Sequence, residues 1–395
     1  MKPIAPRNDF LFHFSQFLYA TIFSIPIWIV YYQSKISIEQ VSILVAVQYG
    51  SQLLLELPTG AFADILGRKT SIFLGYITWM IASIIIVMAN GFWMLFFATV
   101  LGGLAESLLS GSLEALVYDS HKQDGTEKNF SKALSTNNIL FQFGLILGTV
   151  TGGYLYGISQ TLPYILYAVL CLISAISIFF MFEPKIDTEK FTLANYLRQI
   201  KEGTYHAFES RKTALVSLYY IAVAGITWTV NLYFFDLALT QLFTSDELRG
   251  VVGASIRLVN IIIIALTIRN EKLFTRNVSI WFFPVAMTVG YFGTWFFFDM
   301  PYIPLIFLSL AVMCGTARWV VLSKYTNECF ESKYRATAIS ALSMLVGVFY
   351  ILITSTSGFF FNYFNGMSII FAILGVMTLV FVLPLAYKNV SLRKV

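Results

Sequence analysis

The stretch GAFADILGRKTSI, residues 60–72, is a short charged interruption between two long apolar stretches. It brings together an Asp, a Gly, an Arg and a Lys, whereas the flanking stretches, 40–63 and 70–89, contain almost no charge. Each flank is about 20 residues long, which is the length that an α-helix needs to cross about 30 Å of hydrocarbon. The stretch therefore predicts a tight turn between two membrane-spanning helices.

The same alternation of apolar segments and charged turns continues along all 395 residues. The chain is 57% hydrophobic and 12% charged, whereas about 25% of the residues in globular domains are charged. Runs such as IIIIAL, 261–266, lack the alternation of a transmembrane β-barrel. We therefore predict an all-α membrane protein with twelve transmembrane helices in two six-helix pseudo-repeats. The predicted segments are 10–32, 40–63, 70–89, 92–117, 130–157, 161–182, 213–240, 248–268, 277–298, 302–323, 333–361 and 366–387.

The distribution of Lys and Arg among the loops predicts the orientation of the chain in the membrane. All of them except Lys35, Arg249, Arg257 and Arg318 fall in the two termini or in loops that follow even-numbered segments. Because short loops rich in Lys and Arg remain cytoplasmic, we expect both termini and the 183–212 connection on that side of a bacterial cytoplasmic membrane. The net charge of +5 then reflects topology, so membrane lipids are expected partners and nucleic acid is not.

A repeat supports a division of the chain into two halves. SKALS at 131–135 and RATAIS at 335–340 each follow a charged loop. When Ala133 is aligned with Ala338, Gly153 falls on Gly358, so both pairs are 205 residues apart. Duplicated six-helix units are a common plan of transporters. The predicted domains are an N-terminal six-helix bundle (1–182), a cytoplasmic linker with an amphipathic helix (183–212) and a C-terminal six-helix bundle (213–395).

The opening stretch resembles the loop 2 to 3 signature of the major facilitator superfamily, G-x-x-x-D-basic-x-G-R-basic. Ile65 departs from the pattern, since a basic residue is usual there. In that family the cluster latches the two halves in one of two alternating conformations, and the resemblance implies a gate in which Asp64, Arg68 and Asp119 act together. The matching positions are Gly60, Asp64, Gly67, Arg68 and Lys69.

A second stretch, GLILGTVTGG at 144–153, resembles the segment 5 signature of the antiporters of this superfamily. It matches at Gly144, Gly148, Gly152 and Gly153, whereas Thr149 replaces a proline. The resemblance implies export. Glycines four apart also let another helix approach closely, so generic helix packing is an alternative interpretation.

Acidic residues inside the apolar segments are candidates for function because an ionisable group in hydrocarbon costs a few kcal/mol. Glu106, near the middle of the fourth segment, is the first candidate for a protonation site that loads and releases a proton as access switches. A neutral Glu106 bonded to Ser107 or Ser110 is the structural alternative. Glu114 is the second candidate. The 205-residue offset aligns it with Trp319, beside Arg318, so Glu114 and Arg318 are expected to form a functional or a static ion pair.

Other polar and aromatic side chains are candidates for gating or substrate binding. In the superfamily that the chain resembles, segments 1, 4, 7 and 10 line the cavity. Asp236 and Arg257 are expected to form an outer gate or to neutralise each other, and Glu56 is expected to be structural. The three His and three Cys have no spacing typical of a metal site. The predicted substrate-binding residues are Tyr19, Trp228, Tyr233, Arg318 and Trp319.

These features predict a proton-coupled secondary transporter that exports amphipathic or drug-like small molecules by alternating access. We expect a monomer that uses the proton gradient and no cofactor. One alternative is an importer or exporter of a polar or anionic nutrient bound by Arg318 and Arg257. An intramembrane enzyme would need a constellation such as Ser/His or HExxH, which the sequence lacks. A membrane sensor or scaffold is a further alternative, although it leaves the intramembrane acids unexplained.

Overall fold

The structure, a computed structural model, describes residues 3–184, 193–269, 276–331, 334–364 and 366–391. Each of the twelve predicted segments coincides with one or more helices, and these described residues contain no β-strand. The predicted all-α fold class is therefore confirmed. The helices are α1 (Ala5–Ala20), α2 (Trp28–Gln33), α3 (Ile38–Leu66), α4 (Arg68–Met88), α5 (Phe92–Leu109), α6 (Ser112–Gln123), α7 (Phe130–Ile158), α8 (Leu162–Phe179), α9 (Leu193–Phe208), α10 (Arg211–Thr229), α11 (Phe235–Leu242), α12 (Asp246–Arg269), α13 (Arg276–Phe296), α14 (Ile303–Asn327), α15 (Arg335–Tyr363), α16 (Ser368–Met377) and α17 (Leu383–Ser391).

Within the described chain, eight helical stretches are long and apolar enough to cross a membrane, judged by length and composition. The first predicted segment is not among them, because its apolar residues are divided between α1 and α2, which have 16 and 6 residues. A shorter apolar helix covers Ile303–Cys314 in the tenth segment. The eight stretches are Ile38–Leu66, Arg68–Met88, Phe92–Gln123, Glu127–Ile158, Leu162–Phe179, Arg211–Leu242, Thr337–Tyr363 and Ser368–Val390.

Four of the predicted segments are interrupted, although each was predicted as one continuous helix. In the first segment the chain leaves helical geometry between α1 and α2, where Pro26 has no N–H to donate. In the fourth segment α5 and α6 are separated at Gly111, whose φ of 71° is favourable for glycine. In the seventh segment Val230–Phe234 form a π-helical turn between α10 and α11. In the twelfth segment Thr378–Val382 form a π-helical turn between α16 and α17. Such interruptions inside a membrane protein are tolerated where neighbouring groups satisfy the backbone.

The first of two units comprises Met1–Ser37, Val47–Leu193 and Ser245–Ala254. Its apolar core is formed by side chains of α1, α4, α5, α6, α7 and α8, among which Tyr76 and Cys171 are completely buried. The unit therefore differs from the predicted N-terminal bundle, because it includes the first turns of α12.

The second unit comprises Ile38–Ala46, Ala194–Thr244 and Ser255–Val395. It includes the first turns of α3 and a core cluster in which α10 and α15 meet through Ala224 and Leu342. Helix α10 begins with a capping box, in which Ser210 and Thr213 each bond to the backbone N–H of the other.

Helix α9, part of the predicted linker, packs within the second unit. The Ser217 hydroxyl donates to the Ala207 carbonyl at 2.7 Å, and the His206 ring stacks on Tyr334 with centroids 3.6 Å apart. A side chain at Gly203 would collide with the Thr337 carbonyl, so this glycine permits the close approach of α9 and α15. Residues 185–192 of the predicted linker lie outside the described chain.

Candidate functional site

The turn between α3 and α4 is built around Gly67, whose φ of 90° lies in the region that favours glycine. The carboxylate of Glu183 accepts hydrogen bonds from the backbone N–H groups of Arg68 and Lys69, each at 2.8 Å. These N–H groups have no partner within α4, and their position attracts negative charge. Glu183 therefore caps α4, a role that was not predicted from the sequence.

The basic side chains of the turn contact the ends of two other helices in the first unit. The Arg68 guanidinium forms an ion pair with Asp119 of α6. The Lys69 ammonium donates to the carbonyls of Phe179 and Met181 at the end of α8, at 2.8 and 2.9 Å. The signature thus ties α4 to α6 and α8, since cations near a helix C-terminus complement its dipole.

The other two signature residues lie toward the end of α3. Asp64 is half-buried, and a side chain at Gly60 would meet open space. The structure thus brings Arg68 and Asp119 together. The role of Asp64, Arg68 and Asp119 as a gate stays a prediction.

Replacing Glu183 with Ala is expected to lower the stability of the protein by about 1 kcal/mol, the usual cost of losing a helix N-terminal cap. Thermal unfolding of the purified protein in detergent measures this effect. Glu127→Ala is the control, because Glu127 is also an exposed carboxylate at a loop but belongs to a short 3₁₀ turn. Equal melting temperatures for the two variants would contradict the capping role of Glu183.

Glu106 lies three residues before the end of α5, and its side chain turns toward α1 and α4 in the first unit. The Tyr19 hydroxyl and the Trp79 indole N–H both donate to its Oε1 atom, the latter at 3.2 Å. The hydroxyl of Ser107 instead pairs with that of Thr59 at 2.6 Å. The partners of Glu106 are therefore an aromatic hydroxyl and an indole, and Ser107 is occupied elsewhere.

Aromatic rings surround this carboxylate. The Tyr19 ring lies 5.7 Å from Tyr76 and 6.5 Å from Tyr167, measured between centroids, and Tyr167 meets Trp79 edge-on at 6.1 Å. The three tyrosines are buried, whereas Glu106 and Trp79 are half-buried. We call these five residues the Glu106 cluster. Since both donors bind Oε1, Oε2 is the oxygen that would carry a proton.

Glu114, the second predicted coupling residue, lies in the first turn of α6 and is exposed. The break at Gly111 separates it from Glu106, so the two carboxylates do not share a continuous helix, as the prediction assumed. The side chains of Arg318 and Trp319 lie outside the described residues, and a pair between Glu114 and Arg318 stays a prediction.

The glycine stripe of α7 packs against the break between α1 and α2. An added Cβ at Gly144 would lie 2.7 Å from the Phe17 carbonyl oxygen, and one at Gly148 would lie 2.7 Å from the Ile22 nitrogen. At Gly152 it would collide with the Phe23 carbonyl. The stripe therefore allows backbone-to-backbone contact where α1 is interrupted.

At Thr149, where the antiporter pattern has a proline, α7 continues as a helix from Phe130 to Ile158. The Thr149 hydroxyl donates to the Leu145 carbonyl at 2.7 Å. A proline in place of Thr149 would have no N–H for that carbonyl and would kink the helix. The departure from the antiporter pattern is thus compatible with an unbroken α7.

Gly153 and Gly358, which the sequence repeat aligned, occupy similar surroundings in their respective units. A side chain at Gly153 would collide with the backbone of Asp246, at the start of α12. An added Cβ at Gly358 would lie 2.5 Å from the Glu39 Cα, at the start of α3. Each glycine therefore admits the first turn of another helix, as expected for equivalent positions of a repeat.

Asp236 and Arg257 form an ion pair at 3.2 Å within the second unit. The Arg257 guanidinium also lies 5.1 Å from the centroid of the Phe235 ring, within the range of a cation–π contact. The structure brings this predicted pair together, with the side chains 13% and 27% exposed for Asp236 and Arg257. Mutual neutralisation and a gating role both stay open.

The predicted aromatic binding residues of the second unit pack against their own neighbours. Tyr233, in the π-helical turn, is completely buried and its hydroxyl lies 2.8 Å from that of Ser42. Trp228 meets Tyr350 edge-on at 6.0 Å. A substrate role for Tyr233 therefore requires rearrangement of this contact, and the role stays a prediction.

Four residues that complete these sites were not predicted from the sequence. They are Tyr76, Trp79, Tyr167 and Glu183, and each lies far along the chain from its partners. A lone Trp in an apolar segment and a Glu after another segment are signals too common to assign a role. Only packing of the helices brings them to Glu106 and to the start of α4.

Comparison with protein families gives one match that covers most of the chain, since residues 10–321 match the model described as Major Facilitator Superfamily. One curated relative, an uncharacterized MFS-type transporter YxaM of Bacillus subtilis (strain 168), is 27% identical over 377 residues, 91% of this chain and 90% of that protein. Multidrug resistance protein 2 of the same organism is 27% identical over 180 residues, 45% of this chain and 43% of that protein.

Among solved structures, the crystal structure of the nucleoside transporter NupG superimposes with a TM-score of 0.77. The superposition covers 100% of this chain and 100% of that chain, with 13% sequence identity. This likeness supports the fold alone.

Proposed function

Because this chain belongs to the major facilitator superfamily and is a multi-pass membrane transporter, we propose that it is a proton-coupled exporter of amphipathic, drug-like small molecules. The observation that carries the proposal is the position of Glu106 inside a membrane-spanning stretch, with Tyr19 and Trp79 bound to one of its oxygens. A carboxylate at that depth is costly, so its presence there points to a function, and proton movement is the function that its chemistry suits.

The Glu106 cluster supplies a mechanism for coupling. Proton binding at Oε2 removes the charge of Glu106, and proton release restores a carboxylate that holds the Tyr19 hydroxyl and the Trp79 indole. Tyr19 lies two residues before the interruption that follows α1. A shift of the Tyr19 side chain therefore acts on the backbone at that interruption. Protonation thereby biases one of the alternating conformations, and cargo that engages the same aromatic rings competes with the proton.

Drug-like cargo is supported by two observations. One relative is a multidrug resistance protein, and the glycine stripe of α7 matches the antiporter pattern at four positions. We place the termini in the cytoplasm of a bacterium, and we propose that the monomer uses the proton gradient without a cofactor.

Export of cargo is favoured over binding of an anionic nutrient because Arg257 already has an acidic partner. It pairs with Asp236 and stacks on Phe235, so an anion would have to displace both. The nucleoside transporter named among the similar structures shares the fold at low identity and supports no choice of cargo.

The proposal is tested with purified protein in vesicles that contain a pH-sensitive dye and carry an imposed pH gradient. Ethidium, a nucleoside and an anionic metabolite are added in separate assays. We expect proton movement with ethidium that requires the protein, and none with the other two. Proton movement with the nucleoside or the anion alone, or with no compound at all, would contradict drug export.

A further inference from the structure

Helix α3 has three distinct faces beyond its first turns, and one of them has no role in the mechanism above. Ser51 and Thr59 lie on the face that packs against α5, where an added Cβ at Gly103 would lie 2.6 Å from the Ser51 Cβ. Leu54, 76% exposed, lies on an apolar face that suits lipid. Glu56 is also exposed, but two residues beyond Leu54 it points to nearly the opposite side of the helix.

The face that carries Glu56 is polar and open. Tyr49 and Gly60 lie seven residues before and four residues after Glu56, so all three share this face. A side chain at Gly60 would meet nothing within 4 Å. We call Tyr49, Glu56 and Gly60 the open face of α3.

The position of Glu56 along α3 indicates membrane depth, because α3 is a candidate membrane span. Helix α3 spans Ile38–Leu66, so Glu56 is four residues from its midpoint, about 6 Å along the axis. An exposed carboxylate at that depth must face water or a cation, because lipid contact costs a few kcal/mol. Among the ion pairs of the described residues none involves Glu56.

Glu56 and Glu106 lie at the same level of two helices that touch. The Thr59 hydroxyl reaches both the Glu56 carbonyl at 3.3 Å and the Ser107 carbonyl at 3.1 Å. Nevertheless the two carboxylates point apart, since Glu106 is bound by Tyr19 and Trp79 whereas Glu56 lies on the open face. One carboxylate is therefore enclosed by donors and the other is accessible.

We propose that the open face of α3 is a binding site for the cationic group of a lipophilic cargo, with Glu56 as its counter-charge and the Tyr49 ring as a cation–π partner. This inference rests on the proposed transport function. It assigns different roles to the two carboxylates: Glu106 carries the proton, and Glu56 binds the positive charge of the cargo. A lipophilic cation suits this face because its positive charge complements Glu56 and can lie over the Tyr49 ring. Its apolar groups can lie inside the membrane at little cost. The space beside Gly60 admits a bulky group.

The test is equilibrium binding of tetraphenylphosphonium to the purified full chain in detergent, with neutral triphenylphosphine oxide as the matched probe. We expect Glu56→Gln to weaken binding of the cation at least about tenfold and to leave the neutral probe unchanged. Gly60→Leu, which fills the open space and keeps the carboxylate, is expected to weaken both probes. Glu127→Gln is the control for loss of a carboxylate elsewhere. Melting temperatures show that each variant is folded.

Unchanged cation binding by Glu56→Gln, or equal loss of both probes, would overturn the proposal. Failure of this binding site can be distinguished from failure of the proposed proton coupling. If the protein moves protons with ethidium but Glu56→Gln binds tetraphenylphosphonium normally, this inference alone fails. If Glu56 is needed for cation binding but no compound moves protons, the proposed coupled transport fails and the binding site stands.

Discussion

Glu106→Gln is expected to abolish accumulation of cargo against its gradient while the protein remains folded. Gln keeps the shape of the side chain and an oxygen that accepts from Tyr19 and Trp79, so the Glu106 cluster retains both hydrogen bonds. It cannot bind and release a proton, so the transporter has no charge change with which to couple the two gradients. Downhill exchange of labelled cargo should continue, because alternation itself does not require the gradient.

Vesicles with an imposed pH gradient measure the loss of accumulation, and counterflow of labelled ethidium measures the exchange that remains. Glu114→Gln is the matched comparison, because Glu114 is an exposed acid in the same predicted segment. Loss of accumulation in Glu114→Gln alone would transfer the coupling role to that residue. Uphill transport by Glu106→Gln would refute the assignment of Glu106.

Gly148→Leu is expected to prevent correct folding of the first unit. Even a Cβ at this position would lie 2.7 to 2.8 Å from the backbone N, C and O atoms of Ile22. These are backbone atoms at the break of α1, so they cannot rotate away as a side chain would. The added side chain therefore separates α7 from α1, with an expected loss of about 3 kcal/mol or more of stability.

The measurement is thermal unfolding in detergent, together with the yield of monodisperse protein. Gly157→Leu is the matched control, because Gly157 lies on the same helix, is exposed, and would meet only the flexible end of the Glu247 side chain at 3.2 Å. We expect the control to resemble the unchanged protein. Similar melting temperatures for the two variants would show that the contact at Gly148 does not stabilise the unit.

The membrane segments were predictable because each depends on local composition. A run of about 20 apolar residues becomes a helix in lipid irrespective of distant partners, since every backbone N–H and C=O must be paired within the segment. The two glycine motifs were likewise visible, because spacing along one helix determines which residues share a face. The ion pair of Arg68 with Asp119 was predictable because each residue lies in a short charged loop next to a predicted segment, on the same predicted side of the membrane.

The interruptions and the partners of Glu106 were not predictable in this way. Pro26 and Gly111 permit a break in a helix but do not require one, and the break beside Pro26 packs against the glycine stripe of α7. Trp79 is 27 residues from Glu106, and nothing in either segment sets the rotation of α4 relative to α5. Glu183 is 115 residues from Arg68, and no local pattern joins them.

The amino-acid sequence by itself determined the helical class, the segments and the family signature, because these properties depend on the order of residues along single segments. Tertiary structure alone decided that Glu106 is enclosed by Tyr19 and Trp79 while Glu56 remains on an open face. The physical reason is that lipid selects for apolar segments without specifying their rotation. Close contacts between helices, such as those at Gly148 and Thr59, select the rotation and thereby the surroundings of each charge.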